Sequence, residues 1–305
     1  MTRVLLFALL FFVPWSMARA ESKLHFDIGG GSIDVTLEHD QPELSQTDLS
    51  KWVRDAAESV TAYYGRFPVP HVVVRIAPFE GTGVRNGRTF ATDGGLILMR
   101  VGSRDTAHEL ASDWMLTHEM VHLAFPSVAD QHHWIEEGIA VYVEPIARIQ
   151  AGILDAASMW RDLVRDMPQG LPKAGDQGLD HTHTWGRTYW GGALYCFLAD
   201  IQIRRETKNA KGLQDALRGI LESGGDIRRD WELDRALEIG DRATGTHVLM
   251  NLYTQMRDKP VETNLDALWK QLGVTVDDGV AHFQDDAQLS SIRRSIVTKV
   301  PASPR

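Results

Sequence analysis

Two imidazoles four residues apart on one helix face can hold a zinc ion, and a carboxylate beside them can take a proton from water at that ion. The stretch His118-Glu119-Met120-Val121-His122 has this form, with His118 and His122 as candidate ligands and Glu119 as candidate general base. A catalytic zinc usually takes three protein ligands and keeps a fourth position for water, so one more ligand is needed. The run from Trp134 to Glu144 offers Glu136 and Glu137. On a helix these two are rotated by about 100°, so only one faces the histidine pair. The opposing reading of the motif is an exposed helix whose His and Glu side chains are only solvated.

Several elements must position these groups. Thr106-Ala107-His108-Glu109 reads as a capping box that starts a helix, with His108 at its exposed beginning. That helix is expected to run through Leu110 and Trp114 into the histidine pair and to stop at Phe125, because proline follows. Pro126 to His133 can then reverse the chain between two antiparallel helices, with His132 and His133 as loop residues. Upstream, Leu24 to Leu37 reads as two short strands turning at Gly29-Gly30-Gly31, which lack the spacing of a phosphate loop. Leu49, Trp52, Val53, Ala56, Val60 and Tyr63 mark an amphipathic helix ending near Gly65, and Pro68 and Pro70 break it. Strands are expected over 72–77 and 94–101, with a glycine-rich loop from Phe79 to Asp93 between them.

The run Glu137-Gly138-Ile139-Ala140-Val141-Tyr142-Val143-Glu144 resembles the E-G-x-A-x-Y-x-E signature of the gluzincin clan of zinc peptidases, in its aminopeptidase-like branch with small bacterial relatives. The resemblance implies an α+β fold: a zincin-type catalytic domain with a small mixed sheet and the H-E-x-x-H helix, followed by a mostly helical half. It implies Glu137 as third ligand, with Glu136 as the alternative, and Glu144 as a partner for a ligating histidine. Only fourteen residues separate His122 from Glu137, fewer than in the large aminopeptidases of the branch. Tyr189-Trp190-Gly191-Gly192-Ala193 is similar to the branch's Y-x-K-G-A segment, with Gly191 in place of the lysine, which implies that Tyr189 stabilises the oxyanion. The plain alternative is that Tyr189 packs at the start of its helix. In several zinc peptidase families an edge strand beside the metal pairs with the extended substrate, and Gly95, Leu96, Ile97 and Leu98 are the candidates here, an ordinary hairpin being the alternative.

The mechanism expected is hydrolysis of a peptide or protein substrate, with Zn2+ as the cofactor activating water, Glu119 moving its proton and Tyr189 stabilising charge on the carbonyl oxygen. The branch's aminopeptidases bind the substrate's N-terminus through an acid in a G-x-M-E-N segment. The nearest analogue, Gly83-Val84-Arg85-Asn86, has Arg85 there, which leans against strict aminopeptidase action. Two readings from another class stand beside the enzyme: a catalytically inactive protein stabilised by zinc that binds peptides, and an envelope adaptor that recruits a peptidase.

The whole chain has 305 residues and a formal net charge of -9, which argues against nucleic acid as a partner. Arg3, the apolar run Val4 to Val13 and Ala18-Arg19-Ala20 read as an export signal over 1–20, cleaved after Ala20, with a core too short for a retained membrane span. The protein is then expected in the periplasm or secreted, with a catalytic subdomain over 21–167 and a mostly helical subdomain over 168–305 carrying Tyr189. Cys196 is the only cysteine and is expected to be buried, so no intramolecular disulfide can form. Helices are expected over 149–164, 213–221, 229–239 and 243–256, and in the tail two brief strands over 274–283 and a last helix over 288–297. His181 and His183 lack a third partner nearby and are given no role as a second metal site.

Overall fold

The computed structural model describes residues 22–38 and 45–299, so the expected export segment lies outside the described residues. The chain opens with the hairpin β1 (Ser22–Ile28) and β2 (Gly31–Leu37), followed by helix α1 (Gln46–Tyr64) and strands β3 (His71–Phe79), β4 (Val84–Phe90) and β5 (Leu96–Gly102). Helix α1 begins at Ser45, whose hydroxyl accepts the Asp48 amide. It ends at Gly65 in the left-handed region, φ 79°, where a side chain would be strained.

The five strands form one sheet in the order β1-β2-β3-β5-β4. The pairs β2/β3 and β3/β5 are parallel, whereas β1/β2 and β4/β5 are antiparallel. Alternation of buried and partly buried residues along β2 and β3 shows one face turned to the core, where Ile33, Val35, Val74 and Ile76 share a buried cluster with Trp52, Val53 and Val60 of α1.

Two expectations about this region are corrected. The glycine-rich segment from Phe79 to Asp93 is not a loop, because it contains β4, paired along β5 with a register shift between Val84 and Asn86. Glycines and arginines hid this strand, since its partner β5 supplies the apolar face. Gly95 to Leu98 are consequently not at an edge: β5 is bonded to β3 on one side and β4 on the other, and β4 is the edge strand on that side of the sheet.

The expected helix from Thr106 to Phe125 is two helices, α2 (Ala107–Ser112) and α3 (Met115–His122). The capping box at Thr106 and Glu109 forms as read. Asp113 then turns extended, ψ 138°, and its carboxylate accepts the amides of Met115 and Leu116 and the indole N–H of Trp52. A side chain that satisfies the start of a new helix outcompetes continuation of the old one.

Helix α4 (His133–Gln150) follows, then α5 (Ala156–Asp166). The expected helix over 149–164 is thus also broken, by Gly152 at φ 79° and by Asp155, which caps α5 through the Ser158 amide. A π-helical turn, Gly186–Gly191, leads into α6 (Gly192–Glu206). Then come α7 (Leu213–Glu222), α8 (Leu233–Thr244), α9 (Val248–Met256), α10 (Leu265–Leu272), the hairpin β6 (Val274–Asp277) and β7 (Val280–Phe283), and α11 (Ser290–Val297). Helices α8 and α9 start several residues later than expected.

Sheet, histidine helix and C-terminal helices share one continuous core, from Phe26 to Ile296. Helix α4 runs through its middle and crosses α6 where Gly138 faces Gly192. A Cβ on Gly138 would stand 2.2 Å from the Gly192 carbonyl carbon, so only glycine permits the contact. Cys196 is buried on α6. Among the described residues, no helix is long and apolar enough to cross a membrane.

Candidate active site

Helix α3 presents His118 and His122 toward α4, and α4 returns Glu137 from its first turns. The Nε2 atoms of His118 and His122 lie 3.1 and 3.7 Å from one oxygen, Glu137 Oε2. One ligand atom from each of the three lies within 4.8 Å of the others, and no other such group occurs among the described residues. Ligands held tetrahedrally at the ~2.0–2.2 Å usual for zinc stand ~3.3–3.6 Å apart, so the spacing suits that ion.

The protonation states suit it too. Burial, and then the neighbouring His118, push the His122 pKa down to about 4, which leaves its imidazole neutral near pH 7. Burial works to raise the Glu137 pKa. Hydrogen bonds to His118 and His133 and the nearby imidazoles outweigh it, and the carboxyl is held far below its usual range. Glu136 points elsewhere, to His133 Nδ1 at 2.9 Å and the Val128 amide at 3.4 Å.

Glu119 sits on the same helix with its carboxyl buried under β4. The Thr89 hydroxyl lies 2.6 Å from its Oε2 and 2.9 Å from its main-chain oxygen. Burial raises the Glu119 pKa above 4.5, opposed by the Thr89 hydrogen bond and the charge of His118. Gly87 lets β4 pass this close, because a Cβ there would stand 2.6 Å from Glu119 Oε1. Neither Thr89 nor Gly87 carries a motif. The glycine in a segment with little alternation was the only mark they left in the sequence.

Tyr189 arrives from the π-helical turn, an irregularity common at functional sites. Its ring stacks on His118, centroids 6.5 Å apart, and burial followed by the charge of Glu137 pushes its pKa up to about 12, which keeps the hydroxyl protonated as a donor. Glu144 does not meet the expectation of a histidine partner. It pairs with Arg148 at 3.0 Å, and His118 Nδ1 is buried without a protein partner. Burial outweighs Arg148 and raises the Glu144 pKa to about 7.

His132 is not a loose loop residue, because it is buried with Nδ1 2.9 Å from Asp180. His133 opens α4 and reaches Glu137 Oε1 at 3.3 Å. His181 pairs with Asp258 on the surface, away from the three-ligand group. His118, Glu119, Tyr189 and Glu144 line a common cleft of about 860 Å³, with Arg85, Asn86 and Gly87 of β4 along one side.

No family model matches the sequence, and no curated protein matches it significantly. Solved structures do match. An M1 zinc metallopeptidase from Deinococcus radiodurans is similar with a TM-score of 0.52 at 14% identity, over 80% of this chain and 53% of that one. A mutant of a two-domain M1 zinc metallopeptidase bound to L-arginine gives a TM-score of 0.53 at 14% identity, over 80% of this chain and 53% of that one. An aminopeptidase N family protein from Idiomarina loihiensis gives 0.59 at 12% identity, over 84% of this chain and 50% of that one. The chain therefore shares the fold of these metallopeptidase structures, α+β with a helical second part. It spans about half the length of these structures, and at such identities the likeness is one of fold.

Proposed function

We propose that the protein is a zinc-dependent peptidase of gluzincin type. The observation that carries this reading is the convergence of His118, His122 and Glu137 on one point, with Glu119 and Tyr189 facing the same cleft. The three ligands would hold zinc, which supplies Lewis-acid chemistry: it stabilises charge developing on a carbonyl oxygen and makes water more acidic.

Glu119, held by Thr89 and partly desolvated, takes a proton from the attacking water on its carboxylate and delivers it to the departing amine nitrogen. Tyr189 donates its hydroxyl proton in a hydrogen bond to the oxyanion, a contact that strengthens as charge develops. The leader-like composition of residues 1–20 supports action in the cell envelope or outside the cell. The intact base is what favours an enzyme over a zinc-stabilised binding protein, because binding alone needs no Glu119.

The test is a count of zinc per chain by mass spectrometry beside hydrolysis of a quenched-fluorescence peptide library, for wild type and His122→Ala. Wild type should carry one zinc and hydrolyse peptides until a chelator is added. The variant should lose both properties. Wild type that retains no zinc would refute the reading.

A further inference from the structure

The carboxylates lining the cleft show what kind of peptide end it can receive. Apart from Glu119, they are Glu144, Asp162 and Asp166, and each is already paired: Glu144 with Arg148 at 3.0 Å, Asp162 with Arg161 at 2.9 Å, Asp166 with Arg165 at 2.5 Å. The edge strand β4 carries no acid, and its Arg85 lies at the cleft, stacked 4.3 Å over Phe79. A substrate's α-ammonium thus finds no uncommitted carboxylate among the described cleft residues outside the catalytic group, and it meets a cation at the edge.

The walls carry a second feature. Trp114 and Trp185 are large apolar side chains left 49% and 60% exposed, and both line the cleft. They end a chain of ring contacts across the catalytic groups: Trp114 edge-on to His118 at 5.6 Å, His118 to Tyr189 at 6.5 Å, Tyr189 stacked on Trp185 at 5.6 Å. Exposed indoles fixed beside a reacting centre offer flat apolar faces that a ligand ring can cover.

Resting on the peptidase reading, we propose that the cleft takes an internal stretch of peptide, with a bulky aromatic or aliphatic side chain next to the scissile bond packed against Trp114 and Trp185, and without recognition of a free N-terminus. The test uses short peptides that are amidated, carry Phe or Ala at one position and have either acetylated or free N-termini. Wild type is assayed for cleavage with products mapped by mass spectrometry, and zinc-loaded Glu119→Gln for binding by calorimetry. Acetylation should change kcat/KM by less than about threefold, and Phe should be preferred over Ala by at least about tenfold in cleavage and binding.

Trp185→Ala should bring that preference toward unity in both measurements. Loss of cleavage on acetylation, release of the first residue only, or a Phe preference unmoved by both Trp114→Ala and Trp185→Ala would overturn the proposal. If wild type cleaves nothing while Phe peptides bind with Trp185 dependence, the peptidase reading falls and the aromatic subsite stands.

Discussion

Glu119 works in a site where burial raises its pKa and the Thr89 hydroxyl lowers it. As a base it must be ionised, so kcat/KM is expected to be lost as pH falls through that raised value and to be full above it. Thr89→Val removes a bond that favours the ionised form, so the acid limb of the pH profile should move to higher pH. A limb that stays in place would show that Thr89 does not tune the base. Tyr189→Phe keeps the ring on His118 and removes the donor; kcat should fall by about 10²–10³-fold with KM little changed. The histidine pair and its base were legible because their chemistry lies in the types and spacing of five consecutive residues, little more than one helical turn. Thr89 was not, since a lone threonine gains its meaning only when β4 lies across α3.

At the scale of elements, the site depends on two close approaches that glycine permits, β4 over Glu119 at Gly87 and α4 against α6 at Gly138. Gly138 brings α4 against α6, and Gly138→Ala should destabilise the fold by about 1–3 kcal/mol in denaturant titration, since backbone on both sides has to move. In the sequence Gly138 served as part of a family pattern; the structure shows its physical reason, the backbone of Gly192. Helix α1 was readable from periodicity alone, and β6, β7 and α11 from short apolar runs. The break between α2 and α3 was not, because Asp113 acts through its own carboxylate and through Trp52, far away in sequence. Strand β4 was missed for a related reason: an edge strand beside a cleft needs no alternation of its own when its neighbour supplies the buried face.

For the whole molecule, the three ligands tie α3 to α4 in the middle of a core shared by the sheet and the C-terminal helices. A ligand that binds only the folded state stabilises it, so a chelator should lower Tm and zinc should restore it. Unchanged Tm would place the metal outside the folding unit. The fold class could be anticipated from the resemblance carried by Glu137 to Glu144 and Tyr189 to Ala193, whereas the continuity of the core could not, since it rests on contacts between residues more than a hundred positions apart, such as Gln214 with Tyr63. The measurement that bears most directly on the account is peptide hydrolysis by Glu119→Gln beside wild type, each loaded with zinc and its content determined. Zinc content should be equal in both, and kcat should fall by at least about 10²-fold in the variant. A variant that hydrolyses peptides at the wild-type rate would contradict it.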